Sequence, residues 1–518
     1  MDTRIPKLMG GKSRSLLLVG GAGIFAAILM FWITTLGPGV GPDSLEYLKT
    51  AENILEGNGF LISEDEPLAQ WPPVYPILLS VAGFFHHGDV VEGSRWLHAL
   101  LFGLNLALIG VLVWLCTEGN WVATGGAMLV SLASAQVISV HAMIMSEAPF
   151  IAFSLASFGL LSLYLRRPSL ARLLAASVAF GAALTTRYVG ITLLPPMVLG
   201  ICLFGIRPVK TRIKDALIAT CVACFPLGAW LIRNVASVDS ATGRSFTVHP
   251  FGLEHAKALI LTMHDFILPL SIGGWFKVLN LAVAAVFVIA IFTGMKTTNF
   301  FNRRSDSPGV VIPVICILFF LTYLCFLLFS ISFLDSHTPV DGRILITPFI
   351  FLVIGMVSLA WSASRAMQNQ AIWWGFSVLI LISIMANARI AVPEVVDIHS
   401  NGSGYSSLEW KKSPTMSLVR SIPRETRIYS NGPDIIRFLA NRNAIMIPRT
   451  INPITRMPME KFNKRLMRMC SESRDGDAMI VYLDGIDWRW YLVDRERLVA
   501  VCPLPIFANT DDGIIYGG

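Results

Sequence analysis

The sequence predicts an α-helical integral membrane protein of about eleven transmembrane helices, with interfacial helices in the first outer loop and a C-terminal soluble α/β domain. Three observations carry that expectation. Hydrophobic residues make up 54% of the 518 and charged ones 14%, where a soluble chain carries about 25% charged. The apolar residues gather in runs near the roughly 20 needed to cross a bilayer core about 30 Å thick. Beyond residue 389 such runs stop and charge returns. This composition excludes a disordered chain, a coiled coil and a cytosolic enzyme of ordinary domains. Eight cysteines exclude a disulfide-stapled scaffold. A net charge of +7 could suit nucleic acid, but the basic residues sit in short loops between apolar runs, where they set membrane orientation. No nucleic-acid partner is expected.

The apolar runs fall at 15–36, 94–116, 121–141, 148–165, 170–186, 189–206, 215–232, 274–295, 309–332, 344–362 and 371–388. The first follows Lys7, Lys12 and Arg14 and exceeds a signal-peptide core, which predicts an uncleaved anchor. A cytoplasmic N-terminus then places Arg166, Arg167, Arg172, Arg207, Lys210, Arg212, Lys214, Lys296, Arg303, Arg304 and Arg365 inside. The opposite loop, 37–93, holds Lys49 against nine acidic residues. Two domains are therefore expected, a transmembrane catalytic one over 1–388 and an extracytoplasmic one over 389–518. In the second, β-like stretches at 426–430, 478–483 and 498–502 alternate with helical ones at 433–441 and 459–470. That pattern suits an α/β unit just large enough for its own core. Cys470 and Cys502 are the cysteines expected in the oxidising compartment, as a disulfide or as two buried thiols.

The first outer loop is the most informative segment, because loops this long without a domain of their own are usually functional. It opens Gly41-Pro42-Asp43-Ser44-Leu45-Glu46-Tyr47. Leu45, Leu48, Ala51 and Leu55 recur at helical spacing, with Glu46, Lys49, Glu52 and Glu56 between them. A short amphipathic helix is expected over 44–55, apolar face on the membrane surface, ended by Gly57-Asn58-Gly59. Trp71-Pro72-Pro73-Val74-Tyr75-Pro76 then introduces the run 74–85, too short to span. Asp43 has two readings. It is the helix N-cap with Glu46 as capping-box partner, worth about 1 kcal/mol, or it is a catalytic carboxylate. Local spacing does not separate them.

The order span, Pro-Asp-Ser-x-x-Tyr, amphipathic helix, Gly-x-Gly-Phe, Pro-Pro-x-Tyr-Pro resembles the GT-C superfamily of membrane glycosyltransferases, in the branch of protein O-mannosyltransferases and the lipid A aminoarabinose transferase. Met145-Ser146-Glu147-Ala148-Pro149-Phe150, Thr186-Arg187-Tyr188, Arg233-Asn234 and Asp341-Gly342-Arg343 fit the same branch, each at an outer helix end. The resemblance covers residues 1 to about 360 in order and topology. It implies an inverting hexosyl- or pentosyltransferase of the bacterial inner membrane, with a cytoplasmic N-terminus and a periplasmic C-terminal domain. The donor would be a sugar on a polyprenyl phosphate and the acceptor a glycan, lipid or protein, with membrane lipids around both. Eukaryotic-type O-mannosyltransferases tend to carry Asp-Glu at the first-loop acid; here Ser44 follows Asp43, which leaves acceptor identity open.

Under that resemblance Asp43 is the base. Glu147 orients hydroxyls or shares a divalent ion with Asp43, the one cofactor in view; its other reading is an acid that satisfies a helix dipole. Arg187, Arg343 and Arg233 sit at outer helix ends, against the inside bias. They bind the donor phosphate through bidentate forks or snorkel to headgroups. Tyr47, Tyr188, Lys257, His337 and Asp341 are secondary substrate contacts, Lys257 and His337 reading otherwise as solvated loop residues, and His141 either joins the two acids or is a hydrogen-bonded core histidine. The scattered His and Asp of the later loops make no zinc signature. Two other classes remain: a transporter or flippase of lipid-linked saccharides, which would usually show repeat-related halves, and a non-catalytic lipid-binding subunit.

Overall fold

The apolar runs dictate the order of the helices, and the breaks between them decide what sits at the helix ends. The computed structural model describes residues 5–63, 66–243, 246, 248–249, 251–269, 308–335 and 338–517. Helix α1 (Ile5–Ile33) leads into α2 (Pro42–Leu55), a small hairpin of β1 (Leu61–Ser63) and β2 (Glu66–Pro67), and α3 (Val74–Phe85). Then come α4 (Val90–Cys116), α5 (Trp121–Leu132), α6 (Ala135–Ala142), α7 (Glu147–Arg166) and α8 (Leu170–Leu184). A 3-10 turn at Tyr188–Leu193 opens α9 (Leu194–Phe204). The remaining helices of this part are α10 (Val209–Val238), α11 (Leu253–Ile267), α12 (Pro308–Phe333), α13 (Gly342–Ala366) and α14 (Gln370–Asn401).

Among the described residues, six helices (α4, α7, α10, α12, α13 and α14) are long and apolar enough to cross a membrane, and α5 with α6 makes a seventh if that bent pair is one span. The chain is a multi-pass membrane protein. The expected count of eleven is not reached. Leu17–Ile33, α8 and the segment Tyr188–Phe204 are shorter apolar helices, and the run 274–295 lies outside the described residues. The run 121–141 is split by a 61° bend. Ser131 Oγ bonds back to Ala127 O there, and Ser134 takes an extended backbone before α6, the usual way serines weaken a helix. Leu104, Val178, Phe225, Ile232 and Leu381 are exposed, an apolar surface that suits lipid rather than water. Inside, Phe158 meets Phe351 edge-on at 4.9 Å and 82°, a favoured aromatic geometry.

Helix α2 forms over the expected residues, with a different cap and a different buried face. Its N-cap is Gly41 and Pro42 occupies the first turn, where a missing N–H costs nothing. The Gly41 N–H donates to Ser44 Oγ at 2.9 Å, and that hydroxyl donates to Ile144 O at 2.8 Å. Asp43 is therefore not the cap, and the capping box with Glu46 does not form. The apolar side of α2 does not lie bare on a membrane surface either. Tyr47, Leu48 and Ala51 pack with Tyr75 and Leu79 of α3 and with Tyr405, Ile435, Ile436, Val481 and Ile515 from the C-terminal part.

Helix α14 runs through the expected boundary at 388 and ends at Asn401, where Gly402 turns with φ +74°. Beyond it come α15 (Pro414–Ser421), β3 (Arg427–Ser430), α16 (Pro433–Ala440), β4 (Ile445–Met446), α17 (Phe462–Arg474), β5 (Ala478–Leu483), α18 (Arg495–Val501), β6 (Ile506–Thr510) and β7 (Gly513–Tyr516). The strands form one sheet in the order β4-β3-β5-β7-β6. Its first three are parallel and its last two antiparallel to their neighbours. The strand expected at 498–502 is helical instead, because Asp494 Oδ1 accepts the Arg497 N–H at 2.7 Å and starts α18. Cys470 on α17 and Cys502 after α18 form a disulfide with Cα atoms 5.5 Å apart.

Three segments are stitched together just before the first-loop acid. Gly39 N–H donates to Ala142 O at 2.8 Å, Ile144 N–H to Gly39 O at 2.9 Å, and Tyr405 N–H to Val40 O at 2.8 Å. Gly404 makes this approach possible. Its φ is +54° and an added Cβ would strike the Val40 carbonyl. We expect Gly404→Ala to destabilise the C-terminal domain by about 1–3 kcal/mol, read as a lower melting midpoint of the detergent-solubilised protein. Gly375→Ala, in open space on α14, should leave the midpoint nearly unchanged.

Candidate active site

Four charged side chains from four elements meet at one end of the helix bundle. Asp43 comes from the first turn of α2 and Glu147 from the first residue of α7. Arg187 precedes the 3-10 turn, and Arg343 lies in the first turn of α13. Glu147 Oε1 accepts from Arg187 at 2.7 Å and from Arg343 Nε at 2.7 Å. The second branch of the Arg343 fork donates to Asp43 Oδ2 at 2.6 Å. The result is a chain of ion pairs, Asp43–Arg343–Glu147–Arg187, in which two positive and two negative groups cancel. Burial grades along it. The Glu147 side chain is 2% exposed and Arg187 14%, while Arg343 and Asp43 are 30% and 29% exposed. Its open end is therefore the Asp43–Arg343 pair.

Local structure aims each member. Asp341 caps α13 by accepting the Ile344 N–H at 3.0 Å, which holds Arg343 in the first turn. Tyr323 from α12 donates its hydroxyl to Ile344 O at 2.7 Å. Arg187 also donates to Ser146 Oγ at 2.9 Å, and the Tyr47 hydroxyl meets the same Ser146 oxygen at 3.2 Å. Tyr47 thus touches the cluster through Ser146. Behind Glu147, Asn105 Nδ2 donates to Ala148 O and meets His141 Nε2, both at 2.9 Å. His141 is a fully buried core histidine whose Nδ1 meets Val137 O at 2.7 Å.

Other expected contacts lie elsewhere. Arg233 does not join the cluster, because its guanidinium holds the first loop by donating to Leu68 O at 2.5 Å and Phe60 O at 3.2 Å. Tyr188 serves the same loop, donating to Ala69 O at 2.8 Å and accepting from Trp230 at 3.2 Å. Lys257 stands exposed on α11, and His337 lies outside the described residues. Ser146 and Glu46 were not anticipated as site groups. Glu46 sits one turn after Asp43, and its Oε2 accepts the Trp71 indole N–H at 2.7 Å. Burial pushes this carboxyl up to about 7, helped by the charges of Asp43, Glu66 and Asp434. The three-residue spacing from Asp43 was the available signal.

Asp43 and Glu147, the pair expected to share any divalent ion, both engage the cationic Arg343, and among the described residues no group of three His, Cys, Asp or Glu could hold a metal.

No protein-family model matches the chain, and no curated protein matches it in sequence. Solved structures match its shape. ArnT from Cupriavidus metallidurans in the apo state aligns over 97% of this chain and 98% of its own, with TM-score 0.59 and 14% identity. ArnT bound to undecaprenyl phosphate aligns over 95% and 96%, with TM-score 0.56 and 13% identity. The arabinofuranosyltransferase AftD from Mycobacteria aligns over 97% of this chain and 40% of its own, with TM-score 0.50 and 13% identity. The chain has the GT-C fold. The buried Glu147 carboxylate organises the cluster, so Glu147→Gln, which keeps its volume, should leave two guanidiniums under-compensated. Loss of one partner from a buried ion pair costs about 3–5 kcal/mol. The expected readout is a matching loss in unfolding free energy in detergent; an unchanged value would refute the anchoring role.

Proposed function

We propose that the chain is an inverting glycosyltransferase that moves a sugar from a polyprenyl-phosphate donor to an acceptor at the outer face of the membrane. The observation that carries this reading is the half-exposed pair of Asp43 and Arg343 at the end of a buried ion-pair chain. Such a site offers a base beside a cation, the two groups that displacement at an anomeric carbon needs. The acceptor oxygen attacks that carbon and loses its proton toward Asp43. The carbon–oxygen bond to phosphate breaks, and the electron pair stays on the phosphate oxygen. Arg343 faces the negative charge that develops there, with Arg187 behind it. A placed base is worth about 10²–10⁴-fold, and a preorganised donor to a developing oxyanion about 10²–10³-fold.

Two further facts support the reading. ArnT, of the same fold, is known in a complex with undecaprenyl phosphate, and basic residues concentrated in alternate loops favour a cytoplasmic N-terminus. Fold alone does not carry chemistry; the ion-pair chain does. Arg343 is the proposed phosphate contact together with Arg187. Arg233 is left out, since its fork is spent on loop carbonyls.

Purified protein incubated with radiolabelled polyprenyl-phosphate sugars and candidate saccharide, lipid and protein acceptors tests this directly. Turnover by the unaltered protein should fall by about 10²-fold or more in Asp43→Asn. Arg343→Lys keeps the charge but loses the fork, and should impair donor use with little change in melting midpoint. Full transfer by Asp43→Asn, or vectorial movement of the lipid without any covalent change, would overturn the assignment.

A further inference from the structure

The mechanism leaves a proton on Asp43, a carboxylate whose Oδ2 is already committed to Arg343 at 2.6 Å. A second carboxylate stands one turn along the same helix. Glu46 is three residues on from Asp43 in α2, a spacing that puts both on one helix face with Cβ atoms about 5–6 Å apart. No cation pairs with Glu46 among the described residues; Lys49, on the same helix, pairs with Glu52 at 3.1 Å. Its Oε2 takes one neutral hydrogen bond from Trp71 at 2.7 Å, and its Oε1 has no partner among the described residues.

The groups that face Glu46 come from every side. Asp43 lies on its own helix, Glu66 on β2 and Asp434 on α16, and all three charges disfavour its ionised form. Trp71, just before α3, favours it. Asp434 is itself held by Arg489 at 2.8 Å and by the Tyr405 hydroxyl at 2.7 Å, so the C-terminal domain contributes to the field at this carboxyl.

We propose that Glu46 is the proton-accepting partner of Asp43, taking up the acceptor's proton as the glycosidic bond forms and releasing it to solvent after each turnover. This deepens the glycosyl-transfer reading and rests on it. The balance is simple: one oxygen–hydrogen bond breaks on the acceptor, its proton passes by way of Asp43, and one oxygen–hydrogen bond forms on Glu46, while the leaving phosphate keeps the electron pair of the broken bond. Glu46 must be ionised to act, and burial sets its pKa at about 7. Activity should therefore rise with pH through neutrality, because an acceptor for a proton works best when its pKa lies near the operating pH.

The test uses full-length protein in nanodiscs, with undecaprenyl phosphate carrying a radiolabelled hexose as donor probe and water as acceptor. Release of label is followed across the neutral pH range, and carboxyl protonation is followed in parallel by infrared difference spectroscopy, which needs no substrate. Glu46→Gln keeps an oxygen for the Trp71 N–H, so folding should hold. The expected results are a protonated-carboxyl band that disappears near pH 7 only when Glu46 is present, and a Glu46→Gln profile without the neutral limb and about 10²-fold lower on its alkaline side. Two further shifts have opposite signs. Trp71→Phe removes a bond to the charged form and moves the limb to higher pH; Asp434→Asn removes a like charge and moves it to lower pH. A limb that persists in Glu46→Gln, or no neutral carboxyl band in the unaltered protein, overturns the role of Glu46. Absence of turnover at every pH in the unaltered protein, with water and with saccharide, lipid and protein acceptors alike, instead overturns the glycosyl-transfer reading, and the proton transfer with it.

Discussion

A carboxylate at the buried N-terminal end of α7 governs much of this structure. Glu147 is almost sealed from solvent, and an unpaired carboxylate in such surroundings costs several kcal/mol even after relaxation. The Glu147 oxygen that bonds recruits two arginines, one from the turn after α8 and one from the start of α13. Both elements must then end or begin at the same depth as α7. Once Arg343 is held by Glu147, its remaining fork reaches only as far as Asp43, which places the first-loop acid. Ser146 and Tyr47 complete the arrangement through the other arginine. The second oxygen of Glu147 has no hydrogen-bond partner among the described residues, a cost such a site can carry when the surrounding helices hold it in place.

The C-terminal domain takes part in this geometry. Its α16 supplies Ile435 and Ile436 to the core that also buries Tyr47, Leu48 and Ala51 of α2. Each fully buried isoleucine there is worth about 1.5–3 kcal/mol, so α2 is clamped from above as well as below. Its backbone is tied in as well, through Tyr405 to Val40. A polar thread follows the same path. Arg489, with its side chain 4% exposed, bonds Asn431 O and Asp434, and Asp434 also accepts from Tyr405. The helix that carries Asp43 and Glu46 is thus fixed by parts of the chain far apart in sequence.

Some features were legible in one dimension because they depend on short-range chemistry. The apolar runs give α4, α7, α12 and α13 close to their expected bounds, and the Pro-Pro-x-Tyr-Pro signal gives a helix at Val74–Phe85. Asp43, Glu147, Arg187 and Arg343 are singled out by charge at apolar helix ends, and the structure brings those four together. Arg233 carries the same signal and is absorbed by loop carbonyls. Whether an arginine meets an acid or a backbone oxygen depends on which loop folds over it. The cap of α2 misleads for a related reason. Asp43 satisfies the local rule, but Ser44, held by Ile144 a hundred residues away, accepts the N–H of Gly41, which takes the N-cap position.

Composition, periodicity and the sidedness of basic residues determined that this chain is a multi-pass helical protein with a polar C-terminal unit, because burial of apolar side chains in lipid requires nothing beyond a run of suitable length. They also marked which charges were too costly to be idle. Only the tertiary structure decided how those charges are shared: that one arginine bridges both acids, that Glu46 lies in the field of a distant domain, and that the span at 121–141 breaks. Those outcomes depend on distances between segments far apart in the chain, and electrostatic and hydrogen-bond energies fall off too steeply with distance and angle for residue order to encode them.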